Sequence, residues 1–136
     1  EEVFTPDGFY PTRDLVRIDA DGWLFPEGRL DDMIKTRGAN VSRIEVEAAL
    51  LALAGVEQAV VAGLPDSAQG KVIVAAVVPA QGAMLDEEML RQALRASLSS
   101  FKVPRRIVFI AANDIPRTAT GKVRLGEIAA MIGARL

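Results

Sequence analysis

The chain has 136 residues, of which 50% are hydrophobic and 25% are charged, with a formal net charge of −2, a balance typical of one modest globular domain. It has no cysteine and no histidine, which excludes disulfides, thiolate nucleophiles, the usual zinc ligands and histidine general bases, so we expect no metal site. There is no basic run and few aromatic residues, which argues against a nucleic-acid surface.

No apolar run approaches the ~18 residues that a membrane-spanning helix needs, and no signal peptide is visible. We therefore expect a cytoplasmic protein without a membrane span. Because the chain starts with Glu1-Glu2 rather than a methionine, we also expect it to be a piece of a longer protein.

The first predicted element is a small β-hairpin. Apolar runs at residues 15–18 and 23–25 flank the turn-forming segment 19–22, and a turn between two strand signals indicates a hairpin. A glycine followed by two acids within residues 28–32 indicates a junction. A further short strand is predicted at residues 33–36.

The first predicted helix begins after Ser42. Ser42 and Glu45 have the spacing of a capping box, in which the hydroxyl accepts from the Glu45 amide and the Glu45 carboxylate reaches back. Ile44, Ala48 and Leu51 follow at i, i+4 and i+7. We therefore expect this apolar helix face to point to the core.

The remaining elements predict an α+β domain. The β-branched runs at residues 56–64 and 71–78 indicate two strands, and the second, apolar without alternation, should be covered on both faces. Asp86 is expected to cap a second helix, and residues 106–110 indicate a third strand. The last helix is marked by Leu125, Ile128, Ala129 and Ile132. The predicted fold is a small β-hairpin followed by a compact domain with a three-stranded sheet covered by three helices.

The loop before the last helix ends in a lysine, Lys122. A proline, two threonines and a glycine make a poor helix or strand interior, so a surface loop is predicted. A glycine-hinged loop that presents a lysine suits contact with a phosphate or a carboxylate. It is not a P-loop, because Pro116 and Val123 stand where that motif needs a glycine and a serine or threonine. Local composition equally allows a turn that only starts the final helix.

Several separated segments stand in a recognisable order and together cover almost the whole chain. They are Tyr10-Pro11-Thr12-Arg13-Asp14-Leu15, Asp21-Gly22-Trp23, Gly28-Arg29-Leu30-Asp31-Asp32-Met33-Ile34-Lys35, Arg37-Gly38-Ala39-Asn40-Val41-Ser42, Glu45-Val46-Glu47, Phe101-Lys102-Val103-Pro104 and Pro116-Arg117-Thr118-Ala119-Thr120-Gly121-Lys122. The ordered set resembles the C-terminal portion of the adenylate-forming superfamily, which contains acyl-CoA and aryl-CoA ligases, nonribosomal peptide adenylation domains and luciferases. Each segment alone is weak evidence, whereas the set is specific.

The resemblance implies a two-step reaction with ATP, accompanied by Mg²⁺, and coenzyme A as co-substrate. A carboxylate attacks the α-phosphate of ATP to give acyl-AMP and pyrophosphate. The thiol of coenzyme A or of a carrier-protein pantetheine then attacks the carbonyl. The first step needs positive charge rather than a general base, because the nucleophile is already ionised. Lys122 resembles the lysine that bridges the carboxylate and the α-phosphate region.

The resemblance also implies nucleotide and hinge residues. Asp14 resembles the acid that accepts hydrogen bonds from the ribose hydroxyls, and Arg29 resembles the basic residue beside the nucleotide. Exposed strand and hairpin charges are the structural alternatives. Asp31 resembles the hinge about which the small domain rotates between its two half-reactions.

A second face is implied for thioester formation. Lys35, Arg37 and Gly38 resemble residues of that face, where a missing Cβ lets the pantetheine arm pass close to the backbone. The alternatives are a solvated strand lysine for Lys35 and a plain strand-ending turn for Gly38.

The resemblance places residues 1–30 in the tail of the large N-terminal adenylation domain and residues 31–136 in the mobile C-terminal domain. The expected partners are that large domain and a small-molecule carboxylic acid, and the isolated chain should be inactive. Two positions depart from the family pattern. Arg13 replaces a usual glycine, which leaves open a new phosphate contact, altered specificity or lost activity. Asn40 stands where many members carry arginine.

The predicted function is that of the C-terminal catalytic lid of an AMP-forming carboxylic acid–CoA ligase, of the kind that serves fatty acid metabolism. The Glu-Val-Glu segment and the lysine loop resemble the CoA-ligase branch more than the peptide-synthetase branch. The alternatives are a fatty acyl-AMP ligase or carrier-loading adenylation domain, and a non-catalytic regulatory domain of the same fold.

Overall fold

The computed structural model describes residues 14–29, 32–68 and 70–135, and at residues 14, 15 and 25–29 it describes the backbone alone. The chain divides into two compact units, Glu1–Met33 and Ile34–Leu136. The boundary predicted from the resemblance, between residues 30 and 31, stays a prediction.

The first unit contains the predicted hairpin. Strand β1 (Asp14–Ile18) pairs antiparallel with strand β2 (Leu24–Arg29). In the turn, Asp19 Oδ1 accepts hydrogen bonds from the N–H groups of Asp21 and Trp23 at 2.9 and 3.0 Å. A short side chain that accepts from nearby backbone amides is the usual chemistry of such turns.

The second unit alternates strands and helices. Its elements, in chain order, are β3 (Met33–Thr36), β4 (Ala39–Ser42), α1 (Arg43–Leu51), β5 (Val56–Asp66), β6 (Gly70–Pro79), α2 (Glu87–Arg95), β7 (Arg106–Phe109) and α3 (Leu125–Gly133). The α+β class and the three helices that the sequence predicted are confirmed.

Strand β6 is the centre of a mixed sheet. It pairs antiparallel with β5 along almost its whole length and parallel with β7 from Val74 to Val77. Strand β3 joins β6 where Thr36 lies opposite Gly70, and β4 pairs with β3. The three predicted strands are thus β5, β6 and β7, and the β3–β4 hairpin enlarges the sheet to five strands within the described residues.

The sheet separates two hydrophobic cores, and alternate residues of β6 belong to different ones. Those under α3 are Val72, Val74, Ala76 and Val78, and those under α1 and α2 are Ile73, Ala75 and Val77. Successive strand side chains point to opposite faces, so a strand buried on both sides shows no alternation of apolar and polar residues. This confirms the prediction of a strand covered on both faces.

Two helix caps formed as the sequence predicted. Ser42 Oγ accepts from the Glu45 N–H at 3.3 Å, and Asp86 Oδ1 accepts from the Glu88 N–H at 2.9 Å. The Glu45 carboxylate does not complete a reciprocal box. Both of its oxygens accept from Lys102 Nζ at 3.1 Å instead, which ties the start of α1 to the segment before β7.

The inward face of α1 differs from the predicted one. Val46 and Leu50 are fully buried, whereas Ile44 is 47% and Leu51 is 49% exposed. The helix carries two apolar stripes, and the buried one, continued by Ala49 and Leu53, is the more complete i, i+3, i+4, i+7 pattern. Glu47 supports the same orientation, because its carboxylate accepts from the Val61 N–H of β5.

Candidate functional site

The segment around Lys122 is a short hydrogen-bonded hairpin. The Thr118 N–H donates to the Lys122 carbonyl at 2.7 Å, and the Arg124 N–H donates to the Pro116 carbonyl at 2.8 Å. At the tip, the Gly121 N–H donates to the Thr118 carbonyl at 2.9 Å, and Gly121 has a φ of +89°. A turn followed by a left-handed glycine is a common closure of short hairpins. The backbone that carries Lys122 is therefore preorganised.

Side chains reinforce this lysine hairpin, by which we mean residues 116–124. Thr118 Oγ1 accepts from the Lys122 N–H at 3.2 Å and lies 3.0 Å from Thr120 Oγ1. Arg117 Nη1 donates to the Gly121 carbonyl at 3.0 Å. The two threonines and the arginine thus hold the turn together from within.

The lysine hairpin stands at the surface but is anchored in a core. Lys122 is exposed, while the next residue, Val123, packs with Leu125 against the core under α3. The surface loop that the composition predicted is confirmed in this sense. The charged end of Lys122 projects from a fixed base, as an electrostatic contact to a ligand requires.

The second predicted face is the turn between β3 and β4. Arg37 and Gly38 both have positive φ, 51° and 77°, which is the signature of a two-residue type I′ hairpin turn. Glycine takes this conformation without a steric penalty, whereas for Arg37 it is an unusual one. A Cβ added at Gly38 would meet nothing within 4 Å, so the turn faces open space. The strand-ending turn that the sequence allowed is therefore present, and it is accessible.

Lys35 lies on the strand that leads into this turn. Its neighbours Ile34 and Thr36 are buried at 5% and 4% exposure, and Lys35 is exposed between them. Alternation along β3 explains this, because successive side chains point to opposite sides of the strand.

The residues next to the two candidate surfaces pack in different cores. Val123, next to Lys122, packs in the core under α3, whereas Ile34, next to Lys35, packs in the core under α1 and α2. These cores lie on opposite faces of the sheet. The chain thus presents two separate candidate surfaces.

An arginine-lined pocket adjoins the Arg37–Gly38 turn. It has a volume of about 380 Å³, and its lining includes the three arginines Arg37, Arg91 and Arg105 together with Ser100 and Phe101. Guanidinium groups and hydroxyls are the donors that bind phosphate oxygens, and an aromatic ring provides a stacking surface. The pocket is therefore chemically suited to an anionic, ring-bearing ligand.

Contacts within the protein hold two of these arginines in place. Arg91 Nε donates to the Pro104 carbonyl at 3.1 Å, and its Nη1 donates to Glu88 at 3.0 Å. Arg105 Nη1 lies 3.8 Å from Asp66, and the Arg105 side chain is 61% exposed. Arg91 is thus a fixed wall of the pocket, and Arg105 is an accessible charge at its rim.

Three predicted site residues fall where the structure describes little or nothing. Asp14 and Arg29 are paired across the β1–β2 ladder, but their side chains lie outside the described atoms. Asp31 lies outside the described residues. Their proposed roles in nucleotide binding and hinge motion stay predictions.

Two of the three pocket arginines, Arg91 and Arg105, were not identified from the sequence. Arg105 and Arg106 follow Pro104 directly. This pair of positive charges after the Phe-Lys-Val-Pro segment was the sequence feature that could have indicated an anion-binding residue. Arg91 lies on an amphipathic helix, where an arginine at a polar position is unremarkable. Only the packing of α2 against the segment before β7 reveals that the two are neighbours.

The described parts of the chain also bear on metal binding and membrane insertion. Among the described residues, no group of three or more acidic, histidine or cysteine side chains is placed to hold a metal ion. No helix in the described ranges is long and apolar enough to cross a membrane.

Comparisons with known proteins agree with this geometry. The family model of the AMP-binding enzyme C-terminal domain matches residues 45–122. The chain is 38% identical over 127 residues to a feruloyl-CoA synthase of Amycolatopsis and 40% identical over 117 residues to an oxalate–CoA ligase of Arabidopsis thaliana. These matches cover 93% and 86% of this chain but only 26% and 22% of the relatives.

A solved structure shows the same likeness. ATP-bound MatB from Rhodopseudomonas palustris superposes with a TM-score of 0.77 at 34% identity, over 95% of this chain and 25% of that protein. The chain belongs to the AMP-binding enzyme C-terminal domain family, as the sequence resemblance predicted. It spans about a quarter of the length of the curated relatives it matches.

Proposed function

We propose that this chain is the C-terminal catalytic lid of an AMP-forming carboxylic acid–CoA ligase. The observation that carries the proposal is the lysine hairpin, whose backbone and side-chain hydrogen bonds present an exposed Lys122 from a fixed base. The larger N-terminal domain of the same protein supplies the nucleotide cleft and the acyl pocket, and the cytoplasm is the expected location. The isolated chain is then inactive.

In the first half-reaction, Lys122 supplies positive charge where negative charge gathers. The substrate carboxylate attacks the α-phosphate of ATP, the bond to the β-phosphate oxygen breaks, and acyl-AMP and pyrophosphate are formed. The ammonium group contacts the carboxylate and the α-phosphate oxygens, whose charge it balances as they approach. Magnesium enters with the ATP phosphates as part of that substrate. Removal of one such preorganised contact typically lowers kcat by about 10²–10³-fold.

In the second half-reaction, the Arg37–Gly38 turn faces the acyl-AMP. The pantetheine arm of coenzyme A passes beside Gly38, where no side chain blocks the approach. The phosphates of coenzyme A lie at the arginine-lined pocket, because its guanidinium groups match their charge. The thiolate attacks the acyl carbonyl and AMP leaves. Lys35 adds an exposed positive charge on the same strand.

The packing of Val123, beside Lys122, and Ile34, beside Lys35, in different cores supports a rotation of the domain between the half-reactions. A rigid domain that carries two separate catalytic surfaces brings each of them to one cleft only by turning. Asp31 is the proposed hinge, and Asp14 and Arg29 are the proposed ribose and nucleotide contacts.

The test uses the full-length enzyme that contains this chain. A panel of aliphatic and aromatic acids is screened by pyrophosphate release, and the best substrate is used to compare Lys122→Ala with Lys35→Ala. We expect Lys122→Ala to abolish acyl-AMP formation and to spare thioester formation from supplied acyl-AMP. Equal loss of both half-reactions in Lys122→Ala contradicts the assigned role.

The same preparation separates the alternatives. Thioester formation with coenzyme A supports the CoA ligase, whereas transfer only to a holo-carrier protein indicates a carrier-loading or fatty acyl-AMP ligase. Tight nucleotide-dependent binding of this domain without turnover of any acid indicates a non-catalytic regulatory domain.

A further inference from the structure

Arg117 makes two side-chain contacts that have no role in the proposed reaction as described above. Its Nη1 donates to the carbonyl of Gly121, the residue directly before Lys122, at 3.0 Å. Its Nη2 lies 3.5 Å from Oε1 of Gln58, at the start of β5. One guanidinium group therefore joins the tip of the lysine hairpin to the sheet.

The acceptors of Arg117 differ from those of several other arginines in this chain. Arg43, Arg91 and Arg124 each bind a carboxylate, Glu47, Glu88 and Glu127 respectively. Within the described ranges, both side-chain partners of Arg117 are neutral oxygens. Neither of these partners neutralises the guanidinium charge. Two donors of its planar fork, Nη1 and Nη2, instead hold the loop in position.

The hairpin backbone explains why the contacts of Arg117 to Gly121 and Gln58 are needed. Gly121 has a φ of +89° and adds no side chain, so nothing of its own packs against the sheet. Rotation about this glycine would move the base of Lys122. A charged donor on the Gly121 carbonyl opposes that rotation, because hydrogen bonds from charged groups are stronger than neutral ones.

We propose that Arg117 is the positioning residue for Lys122: its guanidinium holds the Gly121 carbonyl against β5 and so sets where the lysine ammonium lies during acyl-AMP formation. This inference rests on the proposed function of Lys122. It assigns Arg117 to the adenylation half-reaction alone and predicts no part in thioester formation.

The experiment compares Arg117→Ala, Arg117→Lys and Gln58→Leu with Arg124→Ala in the full-length enzyme. Arg124 is the matched control, since it belongs to the same hairpin but its side chain binds Glu127 on α3 at 3.4 Å. Pyrophosphate release measures the first half-reaction, and thioester formation from supplied acyl-AMP measures the second.

We expect Arg117→Ala to lower kcat for acyl-AMP formation by about 10-fold or more, since a shift of about 1 Å in a reacting group costs up to about 100-fold. The KM for ATP and the second half-reaction should stay unchanged. Arg117→Lys should recover part of the loss, Gln58→Leu should show a smaller loss of the same kind, and Arg124→Ala should match the wild type.

Three outcomes overturn the inference. An unchanged adenylation rate in Arg117→Ala excludes a positioning role. A rise in KM for ATP with unchanged kcat makes Arg117 a nucleotide contact instead. Equal loss in both half-reactions makes it a purely structural residue.

The Lys122→Ala variant distinguishes a failure of this inference from a failure of the proposed function. If Lys122→Ala keeps its adenylation rate, the proposed function fails. An inactive Lys122→Ala beside an active Arg117→Ala overturns only the inference.

Discussion

The Glu47 carboxylate accepts a hydrogen bond of 2.9 Å from the backbone N–H of Val61. Glu47 lies on α1 and Val61 on β5, which within the described chain pairs with β6 alone. The same oxygen accepts from Arg43 Nη1 at 2.9 Å. The carboxylate thus satisfies a backbone donor on the free edge of β5. It also ties α1, the helix that follows the β3–β4 hairpin in the chain, to that strand.

Replacement of Glu47 should therefore weaken the domain. We expect Glu47→Ala to lower the free energy of unfolding by about 1.5–3 kcal/mol, the usual worth of a hydrogen bond to a charged group. Glu47→Gln keeps an acceptor and should lose less. Urea unfolding measures both, with Glu57→Ala, at an exposed position of β5, as the control. Equal stability of Glu47→Ala and Glu57→Ala would contradict this role.

Two adjacent leucines test which face of α1 is buried. Leu50 is 0% and Leu51 is 49% exposed. We expect Leu50→Ala to cost about 2–5 kcal/mol, because it leaves a cavity in the core, and Leu51→Ala to stay within about 0.5 kcal/mol of the wild type. Chemical unfolding of the two variants decides the matter. The reverse order would restore the face predicted from the sequence.

Two glycines provide a matched test of the Arg37–Gly38 turn. Gly38 has a φ of 77°, so Gly38→Ala should lower stability by about 1–2 kcal/mol although the site is spacious. Gly126 lies in α3 with nothing within 4 Å of an added Cβ, so Gly126→Ala should raise stability by about 0.4–1 kcal/mol. Thermal unfolding measures both, and effects of the same sign would show that backbone conformation is not the cause.

The arginine-lined pocket yields a prediction for coenzyme A. In the full-length enzyme, Arg105→Ala should raise the KM for coenzyme A by about 10-fold, since it removes one charged hydrogen-bond donor from a phosphate. Pyrophosphate release should not change. The difference from wild type should shrink with added salt, because Arg105 is largely exposed. Arg135→Ala, at the end of α3, is the control, and an equal effect there would exclude a local contact.

Local patterns in the sequence were sufficient for much of this protein. The strands at residues 56–64, 71–78 and 106–110 were predicted because β-branched runs and their flanking prolines act over a few residues. Ser42 and Asp86 were predicted as caps for the same reason. The family followed from motif order, which the match to residues 45–122 confirms.

Long-range contacts decided the rest. The Glu47 carboxylate of α1 accepts from the Val61 N–H of β5, 14 residues away, and no helical period encodes that contact. Arg91 and Arg105 are neighbours only because α2 packs against the segment before β7. The contact of Arg117 with Gln58 joins positions 59 residues apart.

The sequence by itself determined the class of fold, the order of its elements and the presence of an accessible lysine, because each of these rests on residues close together in the chain. Only the tertiary structure decided that Val123, beside Lys122, and Ile34, beside Lys35, fill different cores on opposite faces of one sheet. The physical reason is that the face on which a loop emerges depends on strand pairing and on which core its neighbours fill, and both are set by contacts between distant segments.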